Sequence, residues 1–273
     1  SKIRKNDVDY DIKDTTARAA IEELKQNGTG GNVDPAAYGL PVLYLTGDVT
    51  SMSKDNPVVL DYVYGELSGT ATVKWQGSSS LAYPKKNYTI NFYENNNYAK
   101  KMGVDVGWGA QNEYCLKANW IDKTHARNVV TARLAAEMQA QYGLFEMAPH
   151  NGTIDGFPIE VYINGSFHGL YTMNIPKDAW MFGMDEDNPD HIVICGDNWH
   201  DPVLFKAIPE DLEDWAVEVG PEDDATLAKV QRLVRFVMES TDEEFKANFD
   251  QYLNLVGQTP EKFLADIRPH ALQ

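Results

Sequence analysis

The chain has 273 residues, 43% of them hydrophobic, with fourteen Tyr, ten Phe and six Trp, which is typical of a folded globular protein. Its formal net charge of −17 and its pI of about 4.7 argue against a general nucleic-acid binder and against attachment to anionic lipid, because both need a positive surface. The sequence has no apolar run near the ~18 residues of a membrane span, and no visible signal peptide. We therefore expect a fold that forms in a reducing cytoplasm, without a nucleic-acid partner and without membrane insertion.

The first part of the chain, residues 1–32, contains one helical pattern. Apolar residues recur at three- and four-residue spacing over residues 14–26, and Asp14 or Thr15 can cap the start of a helix there. The recurring residues are Ala17, Ala20, Ile21 and Leu24. Residues 27–32 are rich in glycine and predict a flexible linker. Two alternatives stay open for this helix: it docks on the main domain, or it pairs with copies of itself or with another subunit.

The second part, residues 33–177, has the pattern of an antiparallel β-rich lobe with one long helix. Asn164-Gly165 between two alternating runs is the strongest hairpin signal in the chain. A helix is predicted over residues 123–142, and its apolar residues Ala126, Val130, Leu134 and Met138 share one face. The predicted strands cover residues 40–45, 71–75, 87–92, 157–163 and 167–173.

The third part, residues 178–273, is acidic and mostly helical. From Asp178 to Asp250 there are twenty acidic and five basic residues. Helical spacing is present at residues 223–239, and Thr241 to Glu244 form a capping box that opens a second helix. The sequence therefore predicts an α+β fold: a short N-terminal helix, a β-rich lobe with one long helix, and an acidic helical segment.

Cations are concentrated in one segment of this acidic chain. From Lys74 to Arg133 there are nine Lys or Arg against four Asp or Glu. Within it, the turn Gly77-Ser78-Ser79-Ser80 precedes Lys85 and Lys86, which open the next strand. Backbone N–H groups and hydroxyls of such a turn can surround phosphate oxygens, and an adjacent lysine can neutralise them. The alternatives are a solvated basic face, or a buried lysine paired with a carboxylate or a carbonyl.

Other chemistries are not indicated by the sequence. A nucleophile elbow of the required form is absent, and the six His residues have no metal-ligand spacing. Residues 185–190 are acidic but do not match a calcium-binding loop, so we interpret them as a surface loop. Cys115 and Cys195 lie in strand-like runs and are expected to be buried free thiols. Catalytic residues therefore stay unknown, and no metal ligands are predicted.

Several of these motifs, in this order, resemble the CotH kinase family, divergent relatives of protein kinases. The matching segments are Gly77 to Ser79, Pro84 to Phe92, Lys117-Ala118-Asn119, Asp122-Lys123, Arg127-Asn128, Ala148-Pro149 and Val161 to Tyr171. The resemblance covers roughly residues 40–253 and implies a kinase-like lobe. It also implies that Lys86, with Lys85 as the alternative, holds nucleotide phosphates, so ATP and Mg²⁺ are the implied cofactors. The expected anion site comprises Gly77, Ser78, Ser79, Lys85, Lys86 and Arg127.

The chain departs from the family pattern at two places. Asn174-Ile175-Pro176 stand where the family usually places Glu shortly after the hairpin. Phosphoryl transfer needs a carboxylate to orient the acceptor and further oxygens for Mg²⁺, which the family supplies beyond the helix that ends here near Leu253. After Asn254 the only acids are Glu261 and Asp266, in no such motif. We therefore expect a kinase fold without a complete set of phosphotransfer residues. Either the chain is a fragment of a longer product, or the protein lacks the complete phosphotransfer site.

The N-terminus carries a second resemblance. Asp9 to Asp14, followed by Ala17-Arg18 and an amphipathic helix, is similar to the start of many bacteriophage tail and baseplate proteins. This implies a virion structural protein, assembled in the host cytoplasm, that binds other virion subunits or itself through residues 14–26 as a homo-oligomer. Two alternatives stay open: an ATP- and Mg²⁺-dependent protein kinase, and a module that binds an anionic ligand or a host surface.

Overall fold

The structure is a computed structural model and describes residues 2–5, 8–11, 39–94, 97–141, 146, 148–196, 205 and 207–252. Its strands are β1 (Lys2–Lys5), β2 (Val8–Asp11), β3 (Val42–Thr46), β4 (Val58–Tyr64), β5 (Leu67–Gln76), β6 (Asn87–Glu94), β7 (Asn97–Lys101), β8 (Val104–Asp105), β9 (Ala110–Gln111), β10 (Glu113–Lys117), β11 (Gly156–Ile163), β12 (Ser166–Asn174), β13 (Val193–Gly196) and β14 (Trp215–Val219). Its α-helices are α1 (Arg127–Gln141), α2 (Asp224–Glu239) and α3 (Asp242–Tyr252).

The chain divides into two compact units, Ser1–Val130 with Asp155–Pro176, and Thr131–Ile154 with Lys177–Gln273. Secondary structure is mixed and mostly β, in agreement with the predicted α+β class. The division at residues 32 and 177 that the sequence suggests remains a prediction. The predicted helix at residues 14–26 lies outside the described residues, and just before it β1 and β2 form an antiparallel pair. In the described part, no helix combines the length and the apolar character needed to span a membrane.

A sheet that closes on itself organises the first unit. Seven strands follow one another in the order β10-β12-β11-β3-β4-β5-β6, and β6 then pairs with β10 to complete the ring. All of these pairs are antiparallel except β11 with β3. β7 pairs with β6 beyond the stretch that β10 occupies. Closure leaves β6 paired on both edges, which fixes the position of its first residues.

Alternating apolar residues fill the interior of this ring. Successive side chains of a strand point to opposite faces, so every second residue points inward. The rings of Tyr62 and Phe92 lie 4.8 Å apart, and those of Phe92 and Tyr114 lie 6.3 Å apart. Each fully buried side chain of this size contributes about 1.5–3 kcal/mol to folding. The inward residues, all at most 2% exposed, include Leu43, Leu45, Leu60, Tyr62, Val73, Ile90, Phe92, Tyr114, Leu116, Ile159, Val161, Tyr171 and Met173.

Helix α1 confirms the predicted helix, and most of its predicted apolar face is exposed. Val130, Leu134 and Met138 do share a face, yet they are 62%, 57% and 46% exposed, whereas Ala132 and Ala136 are buried. The 3.6-residue period determines which residues share a face, but it does not determine which face other elements cover. In α1, the alanine face is the buried one.

The second unit contains helices α2 and α3, which pack through aromatic rings. The rings of Phe236 and Phe245 stack with centroids 4.8 Å apart, and Val237 and Phe249 complete the buried cluster. The predicted capping box is present: the Glu244 N–H donates to the Thr241 hydroxyl, and the Thr241 N–H donates to the Glu244 carboxylate at 2.9 Å. Both predicted helices are confirmed.

The predicted hairpin joins β11 to β12 through Asn164 and Gly165. Both residues have positive φ, 51° and 76°, as a tight hairpin turn requires. The Asn164 side chain accepts a hydrogen bond from the Gly47 N–H and donates one to the Gly47 carbonyl, each at 2.9 Å. One asparagine therefore fixes both the turn and the end of β3.

Substitution of Asn164 should separate these two roles. Asn164→Ala loses both hydrogen bonds and strains a left-handed backbone, so we expect a loss of about 1–3 kcal/mol in the free energy of unfolding. Asn164→Gly keeps the backbone conformation and loses only the hydrogen bonds, so its loss should be smaller. Urea unfolding measures both. Equal losses would mean that the left-handed conformation has no cost at this position.

Candidate functional site

A polar cavity of about 310 Å³ lies at one end of the closed sheet. It is bounded by the start of β6, the end of β10, the loop after β10 and the first turn of α1. None of the described residues that line it is acidic. They are Lys85, Lys117, Asn87, Asn119, Asn128, Ser80, Tyr83, Trp120, Ala118 and Ile121. The cavity is therefore rich in hydrogen-bond donors and carries positive charge.

Lys85 is the lysine that the fold holds most firmly at this cavity. Its ammonium group donates to the carbonyl oxygen of Ala118 at 3.2 Å and to that of Leu170, and it lies 4.2 Å from the centre of the Tyr171 ring. Gly169 leaves room for the lysine, since a Cβ there would be 3.1 Å from Lys85 Cε. Burial, with a smaller contribution from Lys123, lowers the pKa of Lys85 to about 8.

Lys86 is engaged elsewhere. Its ammonium group donates to the carbonyl oxygens of Leu81 and Tyr83, both at 2.6 Å, and lies 5.3 Å from the centre of the Trp75 ring. These carbonyls belong to the 3₁₀ turn Ser79–Ala82 and the residue after it. Lys85 lines the cavity, whereas Lys86 binds and stabilises the turn. The phosphate-binding role that the family resemblance implies for Lys86 stays a prediction.

The serine turn supports the cavity mainly through Ser80. Gly77 has a φ of 128°, and a Cβ there would lie 2.1 Å from Ser80 Oγ, so the turn requires glycine. Asn87 donates to Ser80 Oγ at 3.3 Å and accepts the Ala118 N–H at 2.8 Å, which ties the turn to the end of β10. Gly77, Ser78 and Ser79 lead into this turn, whereas Ser80 is the member that lines the cavity.

Among the described residues that line the cavity, Lys117 is the charged one that the sequence-based site prediction omitted. It is the last residue of β10, and its ammonium group donates to Gln76 Oε1 at the end of β5. The register explains this placement, since β6 pairs Asn87 with Gln76 on one edge and Tyr88 with Leu116 on the other. The available signal was Lys117-Ala118-Asn119 among the family motifs, although pairing between distant strands was needed to locate it.

The loop from Asn119 to Ala126 is held by side-chain hydrogen bonds. Asn119 Nδ2 donates to Thr172 Oγ1 at 2.7 Å and approaches His125 Nδ1 at 3.2 Å. Asn119 and His125 both have positive φ, 45° and 55°. The Trp120 ring stacks on Tyr83 with centroids 6.5 Å apart, and the Lys123 ammonium lies 4.2 Å from the centre of the Trp120 ring. The cavity thus has a defined wall.

Asp122 and Arg127 form the start of helix α1. The Asp122 carboxylate accepts the Thr124 hydroxyl at 2.7 Å and the N–H groups of Ala126 and Arg127 at 3.1 and 2.9 Å. These hydrogen bonds, the one from Thr124 foremost, lower the pKa of Asp122 to about 2. The Arg127 guanidinium lies 3.7 Å from Asp122 and is 73% exposed. It belongs to the helix cap, next to the cavity-lining Asn128.

The positive charge at the cavity also affects the pKa values of two nearby histidines, His125 and His168. Burial lowers the pKa values of both His125 and His168, and the charge of Lys85 lowers them further. His168 lies 2.8 Å from the Tyr88 hydroxyl and stacks on Tyr171, the ring beside Lys85. The positive charge of Lys85 therefore disfavours protonation of His125 and His168. A bound anion would reduce this repulsion.

The pH dependence of stability should report the burial of Lys85. Its pKa falls from 10.5 to about 8, so between these values the unfolded chain binds more protons than the folded one. The free energy of unfolding contributed by Lys85 should therefore rise as the pH increases through this window. Lys85→Met should lack this rise, and the exposed control Lys74→Met should keep it. Urea unfolding at several pH values tests this, and identical profiles for wild type and Lys85→Met would contradict it.

Comparison with known families agrees with the motifs. The family model described as CotH kinase protein matches residues 73–257, which include every residue that lines the cavity. No protein in the curated set matches the chain. The chain belongs to the CotH family.

Proposed function

We propose that this CotH family member binds a phosphate-bearing ligand in the cavity through Lys85 and Lys117. The observation that carries the proposal is the ammonium group of Lys85, held at the cavity by two backbone carbonyls rather than by a carboxylate. Carbonyl dipoles hold a cation without cancelling its charge. A kinase-like role for the lobe, with nucleotide phosphates at this lysine, is the form of the proposal that the family resemblance implies.

The charge balance of the cavity supports an anionic ligand. Among the described residues, Lys85 and Lys117 form no ion pair with a carboxylate. Asn119 and Asn128 add amide groups to the lining. Charge-assisted hydrogen bonds from ammonium groups to phosphate oxygens are among the stronger polar contacts in proteins. A phosphate between the two lysines would supply the negative charge that the cavity itself does not.

Pyrophosphate should stabilise the protein in low-salt, metal-free buffer. A ligand at about 100 times its Kd adds about 2.7 kcal/mol to the free energy of unfolding, so the melting temperature should rise. The rise should vanish in Lys85→Met, shrink in Lys117→Met and persist in the control Lys74→Met. It should also decline above about pH 8, because Lys85 then loses its proton. Thermal denaturation measures each effect, and a wild type without any rise would show that these lysines are structural.

The role of residues 1–32 is a separate proposal: attachment of the protein to a virion. The resemblance of residues 9–18 to phage tail and baseplate proteins and the glycine-rich linker at 27–32 support it. In this proposal the protein is a tail, baseplate or decoration subunit that contacts other subunits or its own copies through residues 14–26. The cavity would then be displayed on the particle.

Removal of the N-terminal segment should leave folding intact. A chain that begins at Val33 should melt cooperatively near the full-length temperature, because the closed sheet begins at Val42. It should fail to form the native oligomer or to enter particles. Ile21→Asp with Leu24→Asp should reproduce this failure, since charge on the apolar stripe prevents pairing. Aggregation of the shortened chain, or loss of its cooperative transition, would place the segment in the core of the domain.

A further inference from the structure

We propose that the cavity binds its phosphate ligand as the free anion and not as the Mg²⁺ complex. The inference rests on the proposed function above and concerns the form in which that ligand enters. The resemblance to CotH kinases implies Mg²⁺ beside the phosphates. Such an ion would need oxygen ligands from the residues around the cavity.

The donors and acceptors of the cavity do not suit Mg²⁺. This ion requires oxygen ligands, usually one or two carboxylates with waters and phosphate oxygens, in a strict octahedron. Lys85 and Lys117 only donate hydrogen bonds and repel a cation. The amide oxygen of Asn87 already accepts the Ala118 N–H at 2.8 Å. No carboxylate stands among the described lining residues.

Asp122 follows the lining residue Ile121, and both of its carboxylate oxygens already accept hydrogen bonds. One oxygen accepts from the hydroxyl and N–H of Thr124, and the other accepts from the N–H groups of Ala126 and Arg127. Recruitment of Asp122 by a metal would uncap helix α1. Across the described ranges, no group of three or more His, Cys, Asp or Glu is arranged to hold a metal ion. The described residues at the cavity therefore supply no carboxylate that is free to bind Mg²⁺.

Electrostatics then favours the uncomplexed ligand. Mg²⁺ removes two negative charges from a phosphate ligand, and it brings a cation towards Lys85, Lys117 and the nearby Lys123. Coulomb attraction scales with the charge of the ligand, so the free anion is held more tightly than its complex. The cavity would compete with Mg²⁺ for the phosphate oxygens rather than share them with it.

Titration calorimetry of the full chain with pyrophosphate tests the inference, in EDTA and in saturating Mg²⁺ at matched ionic strength. We expect binding to be on the order of tenfold weaker in Mg²⁺, with the ratio set by the lost charge. Equal or tighter binding in Mg²⁺ would overturn the inference and leave the phosphate-binding proposal standing. An absence of binding in both buffers would overturn the phosphate-binding proposal itself, and the inference with it.

A carboxylate placed in the cavity should change the preference. Asn128→Asp adds an acid in the first turn of α1, where negative charge is compatible with the helix dipole, so the variant should fold. We expect this variant to bind free pyrophosphate more weakly than wild type does. The loss of affinity in Mg²⁺ relative to EDTA should be smaller than in wild type, or reversed. The control Thr131→Glu adds the same charge to the same helix at a residue that does not line the cavity. It should keep the wild-type ratio of pyrophosphate affinities in EDTA and in Mg²⁺. An Asn128→Asp variant whose ratio of affinities in EDTA and in Mg²⁺ equals that of wild type would count against the inference.

Discussion

The ammonium group of Lys85 is the contact on which the cavity depends. It joins the carbonyl oxygen of Ala118, just after β10, to that of Leu170 in the middle of the neighbouring strand β12. The face of Tyr171 covers it at 4.2 Å. Two carbonyls and a ring position the cation without neutralising it. The same lysine therefore links β10 to β12 and contributes, with Lys117, to the positive charge of the cavity.

Closure of the sheet brings the other polar groups to that cation. Because β6 pairs with β5 on one edge and with β10 on the other, Gln76, Asn87 and Lys117 meet although they come from three separate strands. The Lys117 ammonium binds Gln76, and Asn87 binds Ser80 and the Ala118 N–H. An open sheet with the same strands would leave β10 apart from β6. The cavity is thus a consequence of the topology more than of any single motif.

Local signals in the sequence predicted the local structure well. Alternation located β3, β5 and β6, and Asn164-Gly165 located the hairpin, because each depends on residues close in sequence. Ring closure depends on register between distant strands, which alternation does not encode. The family motifs include much of the segment that lines the cavity. Which of the two lysines lines it depends on their hydrogen-bond partners, which the motifs do not encode.

The positive charge of the cavity has an electrostatic cost that folding alone does not recover. Burial lowers the pKa of Lys85 to about 8. Burial, and then the charge of Lys85, lower the pKa values of His125 and His168, so protons on these groups disfavour one another. Burial of a charged group without an opposite charge is unfavourable. Hydrogen bonds to two carbonyl oxygens and the contact with the Tyr171 ring offset part of this cost for Lys85. A bound anion reverses the sign of the interaction, because it favours the protonated lysine and offsets its desolvation. In the proposed function, this unfavourable charge of the free cavity would add to the affinity for a phosphate ligand.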